Sequence, residues 1–235
     1  MDIQDIHAIF KRIPEKVLMV MALMAMILIP LGSGGFLYAA SISSGVSEPY
    51  KISQELGLSD ASGIAVHDKG VLFCGSHGYT RIHAYDLSGK FLYALRIPAG
   101  GGTFKLRIEK GLLRVATART DKIITFDVDG NVVSIINDPN SYEDFGNEEE
   151  YYTKDSKGNV FYIKSPRLYP TILKRSDDGR TIKIVSPKLL QWIVTGPLPA
   201  WYFGTTGILL MMIILWAKGI FPIQTNDKDN FGRGK

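Results

Sequence analysis

Cysteine is nearly absent: Cys74 is the single one in 235 residues. An internal disulfide framework and a zinc site built on several thiolates are both excluded. Histidines are few, at positions His7, His67, His77 and His83. No Asn-x-Ser/Thr acceptor occurs, which fits a bacterial rather than a eukaryotic secretory context. A Gly-rich phosphate loop, a serine-nucleophile motif and a paired-carboxylate pattern are also missing, so no common catalytic signature is present. Nor does one sign of charge dominate. The 27 Lys plus Arg against 23 Asp plus Glu leave +4, too little to argue for nucleic acid by itself. A hydrophobic share of 46%, with 11 Tyr and 11 Phe, excludes disorder.

The absence with the largest consequence is local. From Val17 to Ile42, 26 residues carry no charge. A helix needs ~20 apolar residues to cross ~30 Å of hydrocarbon. Pro30 and the stretch Leu31 to Gly35 suit a membrane helix, where neighbours re-satisfy freed backbone groups. A cleaved signal peptide begins in a similar way. Cleavage near Ala39 or Ala40, however, puts Leu37 or Tyr38 where a small residue is wanted, and Asp2, Asp5 and Glu15 precede the run. A retained helix is the expectation. The second uncharged run, Leu198 to Ala217, has Pro197 and Pro199 at its start, Trp201 and Tyr202 at one end and Trp216 at the other. Proline suits a first helical turn and paired aromatics suit membrane interfaces. This run predicts a second span. Gly204 and Gly207, like Gly32, Gly34 and Gly35 in the first run, permit close approach between helices.

Lys11, Arg12 and Lys16 precede the first run, and Lys218, Lys228, Arg233 and Lys235 follow the second. Positive charge on the cytoplasmic side then places both termini inside and the middle outside. Ahead of the first run, Ile3, Ile6, Phe10, Ile13 and Val17 form an amphipathic stripe, suited to the membrane interface or to a docked partner. The chain therefore divides into a cytoplasmic segment 1–16, spans 17–42 and 198–217, an extracytoplasmic domain 43–197 and a polar tail 218–235.

The middle repeats itself. Gly70, Asp86 and Gly89 recur 41 residues later as Gly111, Asp127 and Gly130, with Arg81 to Leu95 matching Lys122 to Ile136. A looser third copy covers Ser156 to Ile163 and Ile172 to Val185, and Tyr50 to Gly57 offers a partial fourth. β-rich runs separated by Gly and Asp-Gly turns, at a period near 40 residues, describe propeller blades of about four strands.

The first unit, Ser62 to Pro98, resembles an NHL-type blade. The resemblance is carried by Gly63-Ile64-Ala65-Val66, the turn at Gly70, Arg81-Ile82, and Tyr85-Asp86 before Gly89-Lys90-Phe91. Lys122-Ile123, Phe126-Asp127 and Gly130 extend it to the second unit. Where the family has Asp and Asn ahead of the Arg-Ile pair, this chain has Ser76 and Tyr79, a departure that touches the family's inter-strand polar bonding. The resemblance implies a six-bladed ring, for which three units are half. Closure by a homo-oligomer, or against a protein partner carrying further blades, follows as an expectation. So does a compact domain whose open faces are covered by its own linkers.

Chemistry is sparse. His67 follows the first strand of its unit, and Cys74, His77 and His83 lie close in sequence. Thiolate and imidazole suit zinc, so an envelope enzyme of the propeller lyase or lactonase type, with a metal near His67, is the alternative that the resemblance brings. No repeat of those ligands supports it, and no cofactor is expected. Charge is better organised. Arg96 to Lys122 is basic, with Arg107, Arg114 and Arg119 as candidate partner contacts; the following stretch is acidic and contains Glu148, Glu149 and Glu150. These patches suit a membrane or envelope partner, or each other across a dimer, as well as solvated faces. Aromatic interleaving for base stacking is missing from 105–122, so nucleic acid is not expected. The fold class is membrane-anchored all-β, with about three four-stranded propeller-like blades flanked by two transmembrane helices. Its expected role is interaction, scaffolding or sensing.

Overall fold

The computed structural model describes residues 9–43, 45–58, 60–145, 151–166 and 169–220. It divides into two compact units, Met1–Pro30 with Phe203–Lys235, and Leu31–Tyr202. Both uncharged runs are helices: α1 spans Glu15–Ser43 and α4 spans Pro197–Ala217. Each is long and apolar enough to cross a membrane. α1 continues through Pro30, whose ring nitrogen has no hydrogen to offer the carbonyl four residues back.

In the first unit the two helices run antiparallel. A Cβ on Gly207 would come within 2.7 Å of Ile29 Cγ1, so only glycine allows this approach. Further along, Lys218 Nζ lies 3.1 Å from Glu15 Oε1, and the Phe10 and Trp216 rings meet edge-on at 5.8 Å. Phe10 thus belongs to this helix pair; Ile3 and Ile6 of the stripe lie outside the described residues.

The second unit holds three antiparallel sheets. The first joins β1 (Tyr50–Ile52), β2 (Ile64–His67), β3 (Val71–Ser76), β4 (Arg81–Asp86) and β5 (Phe91–Arg96) in the order β1-β5-β4-β3-β2. The second is β6 (Phe104–Glu109), β7 (Leu112–Thr117), β8 (Lys122–Phe126) and β9 (Val132–Asn137), in chain order. The one-turn helix α2 (Ser141–Asp144) follows. The third is β10 (Tyr152–Lys154), β11 (Val160–Lys164), β12 (Thr171–Arg175) and β13 (Thr181–Val185), before the short helix α3 (Leu189–Thr195). Each is an up-and-down meander, as in a propeller blade.

The 41-residue repeat is visible in the backbone. Asp86 accepts the N–H groups of Ser88 and Lys90, and Asp127 those of Asp129 and Asn131. Gly89 and Gly130 take φ of +90° and +85° to close these turns. The ladder slips between Ala84 and Tyr85, and again between Thr125 and Phe126, 41 positions on. Tyr50 to Gly57, expected as part of a fourth blade, does something else. Tyr50–Ile52 pairs with β5 as a fifth strand, because three residues cannot form a sheet of their own but can satisfy an existing edge.

The first sheet lies in the middle. Its Ala65, Phe73, Ile82, Ala84, Tyr93 and Leu95 pack on Phe104, Leu113, Val115, Ile124 and Phe126 of the second sheet. The alternate residues Ile64, Val66, Leu72, Cys74 and Tyr85 pack on Phe161, Ile163, Ile172 and Val185 of the third. Strand alternation therefore builds two cores on one sheet. The far face of the second sheet is covered by the linker that follows it: Lys105 sits on the Tyr142 ring and Arg107 on the Phe145 ring, at 4.4 and 4.3 Å. Tyr79 is wholly buried with Ala39 and Leu56, beside Ile42 of α1, and so has a packing role.

Candidate functional site

His67 ends β2 almost buried. Its Nδ1 accepts the Lys69 N–H at 3.0 Å, and Nε2 lies 3.0 Å from the Gly111 carbonyl. An amide only donates, so Nδ1 is bare and Nε2 carries the proton it gives to Gly111. Both nitrogens are thus engaged by backbone, and the ring ties β2 to the β6–β7 turn. A cavity of about 250 Å³ beside it is lined by His67, Asp68, Leu87, Asp155, Asn159 and Lys174. No second imidazole lines it, and Lys174 of β12 reaches it from the third sheet.

The other ligand candidates diverge. Cys74 and His83 stand directly opposite each other on β3 and β4, on the face turned to the third sheet. His77 turns the other way, with Nε2 3.0 Å from the Phe104 carbonyl and its ring edge-on to Phe104. Among the described residues no three of His, Cys, Asp and Glu come together as a metal-holding group. Burial pushes the Cys74 thiol far up, with Asp60 adding to it, so no thiolate nucleophile forms there. His83 is wholly buried, neither ring nitrogen has a hydrogen-bond partner, and burial followed by the Arg81 charge pulls its pKa down to about 3. It is a neutral core residue.

Arg107 and Arg114 are turned on the protein itself. Both reach Glu109 Oε2, at 3.0 and 2.6 Å, and the Arg114 hydrogen bond is the main cause holding the Glu109 carboxyl below its ordinary range. Arg107 also donates to the Phe145 carbonyl at 3.3 Å. Arg119 remains exposed, with one bond to the Gly100 carbonyl. Glu148, Glu149 and Glu150 lie outside the described residues.

Two surfaces that sequence reasoning passed over have more to offer a partner. Val132, Val133, Ile135 and Ile136 of β9 are 42–55% exposed, and β9 is the outer edge of its sheet. In the repeat alignment this run matches β5, which is largely buried, so it reads as core. Its lack of strict alternation was the available signal. On the outer face of the third sheet, Tyr152, Val160 and Tyr162 lie with Lys154 and Arg175 around an open groove of about 490 Å³.

No family model matches the chain, and no curated protein does. Among solved structures, a streptogramin B lyase aligns over 58% of this chain and 44% of its own, at 16% identity and a TM-score of 0.32. A virginiamycin B lyase from Staphylococcus aureus aligns over 58% and 45%, at 22% identity and 0.31. A luciferin-regenerating enzyme aligns over 60% and 50%, at 14% identity and 0.28. The chain spans about half the length of these proteins.

Proposed function

We propose that the chain is a membrane-anchored module of propeller-like blades that acts by docking a second copy of itself or a protein partner, not by catalysis. α1 and α4 are its anchors. Segment 43–197 stands on the extracytoplasmic side with both termini inside, a reading supported by the lysines and arginines around the two spans.

The observation that carries the docking role is β9. A solvent-facing edge strand with apolar side chains on both faces is a template for another strand. Three sheets are half of a six-bladed ring, and association through such an edge or through the open face of the third sheet would complete it. Of the three candidate arginines Arg119 is the exposed one and can contribute at the rim, while Arg107 holds the linker against the second sheet and Arg114 pairs with Glu109.

Light scattering of the full chain in mild detergent, with crosslinking in intact membranes, tests this. A dimer or a defined complex that disappears in the Val133→Lys, Ile135→Lys double variant is the expected result. A folded, strictly monomeric chain with no crosslinked species overturns it. Reporter fusions near Asn140 and at Lys235 test topology, and a cytoplasmic Asn140 overturns the placement.

A further inference from the structure

The strands of the third sheet carry no acidic residue. Their charged side chains are Lys154, Lys164, Lys174, Arg175 and Lys183, all basic. Strand alternation sorts these by face. Lys174 stands opposite Phe161 and lies over its ring at 5.7 Å, on the side turned to the first sheet. The other four share the outer face. Lys154, Val160, Arg175 and Thr181 stand opposite one another in one row, Tyr152, Tyr162, Leu173 and Lys183 in the next, and Lys164 with Thr171 in a third.

All four cations are exposed, and none forms an ion pair among the described residues. Asp155, Asp177 and Asp178 stand between the strands, at the turns. There Asp155 accepts the Lys157 and Asn159 N–H groups, and Asp178 pairs with Arg180. The groove of about 490 Å³ opens in this face, lined by Lys154, Val160 and Arg175 of the first row and by Tyr152 and Tyr162 of the second. Its two cations stand on strands two spacings, about 10 Å, apart.

A face of one sign decides between occupants. A second copy laid face to face on it would set cation against cation, so this surface, unlike β9, does not suit a copy. An acidic peptide would meet the cations and leave the paired tyrosines unused. A single-stranded nucleic acid would use both, but the extracytoplasmic placement of 43–197 sets it aside. A chain of sugar rings with acidic substituents also uses both. Its C–H faces cover the apolar phenol rings, its hydroxyls bond theirs, and its anions meet Lys154 and Arg175.

We infer that the outer face of the third sheet binds an anionic polysaccharide along this groove. The preference over nucleic acid rests on the proposed placement of 43–197; the anionic character of the ligand does not.

The test measures the binding of fluorescently labelled polymers to the full chain in neutral detergent, by anisotropy. Dextran sulfate, polygalacturonate or both should bind, and unsubstituted dextran should not. Affinity should fall about tenfold in the Lys154→Gln, Arg175→Gln double variant. It should fall severalfold in Tyr152→Ala, which removes a ring and leaves every charge in place. All three positions are exposed, so the variants should fold as the parent does. No binding of either anionic polymer, or equal binding of dextran, overturns the inference. So does binding that survives the double variant, or that ignores Tyr152→Ala, since charge alone would then explain it. Tighter binding of poly(dT) or of polyglutamate reassigns the face and overturns it too, as does a dimer that the Lys154→Gln, Arg175→Gln change abolishes. Light scattering of the Val133→Lys, Ile135→Lys variant reads docking through β9, and the Asn140 fusion reads the placement, so each reading can fail without the others.

Discussion

The first and second sheets are copies of one 41-residue unit, yet they end differently. In the first, both faces are buried in cores and the outer strand β5 is paired with β1. In the second, one face is core, the other is overlaid by the sheet's own linker, and β9 is bare with its Val and Ile side chains in solvent. The strand order is the same, and so are the aspartate-glycine turn and the slip in the ladder. The difference comes from neighbours: the segment before the repeat reaches back to one outer edge and nothing in the described residues reaches the other. A repeated unit thus specifies the sheet, and the flanking chain specifies which sheet stays available.

The widest separation between the two sheets should appear on truncating their apolar side chains. Phe73→Ala, in the doubly packed sheet, should cost about 3–5 kcal/mol, while Val133→Ala on β9 should stay within about 0.5 kcal/mol; denaturant unfolding of the full chain in detergent, diluted until it is monomeric, reads both. Equal losses would mean that β9 is covered.

Acid should act on the first sheet next. The unfolded chain protonates His83 below its ordinary 6.5, whereas the folded chain resists until about 3. Stability is therefore complete above that upper value and falls as pH drops towards the lower one, at about 1.4 kcal/mol per unit, or about 2 kcal/mol at pH 5. His83→Leu should flatten this slope without altering the second sheet. A smaller effect, about 1 kcal/mol, is expected of Asp127→Ala, which removes the carboxylate holding the β8–β9 turn. Hydrogen exchange should localise that loss to β9 and leave β5 unchanged. Smallest in stability, within about 0.5 kcal/mol, should be the Val133→Lys, Ile135→Lys pair, whose effect belongs to association.

Much of the secondary structure was legible. Runs without charge became α1 and α4 because twenty or more apolar residues with no partner for a charge suit one continuous helix. The recurring Gly and Asp marked hairpins, since positive φ and a carboxylate that caps its own turn are local requirements. Cys74 reads as a small apolar strand residue and is fully buried. The site was less legible. The basic run 96–122 reads as a free patch, but cross-strand register brings Arg107 and Arg114 together, and both meet Glu109. That Ser76 gives its hydroxyl to Asp60 depends on a contact sixteen residues away in the chain, which no local pattern announces.

Period, turn chemistry and the uncharged runs are properties of neighbouring residues, so three meanders and two long apolar helices could be read without any tertiary contact. The placing of the first sheet between the other two was decided only in the tertiary structure. So were the use of Tyr50–Ile52 as a fifth strand and the exposure of β9. Each depends on which surfaces far apart in the chain bury each other, and an apolar or charged strand has the same letters whether it finds a partner or not.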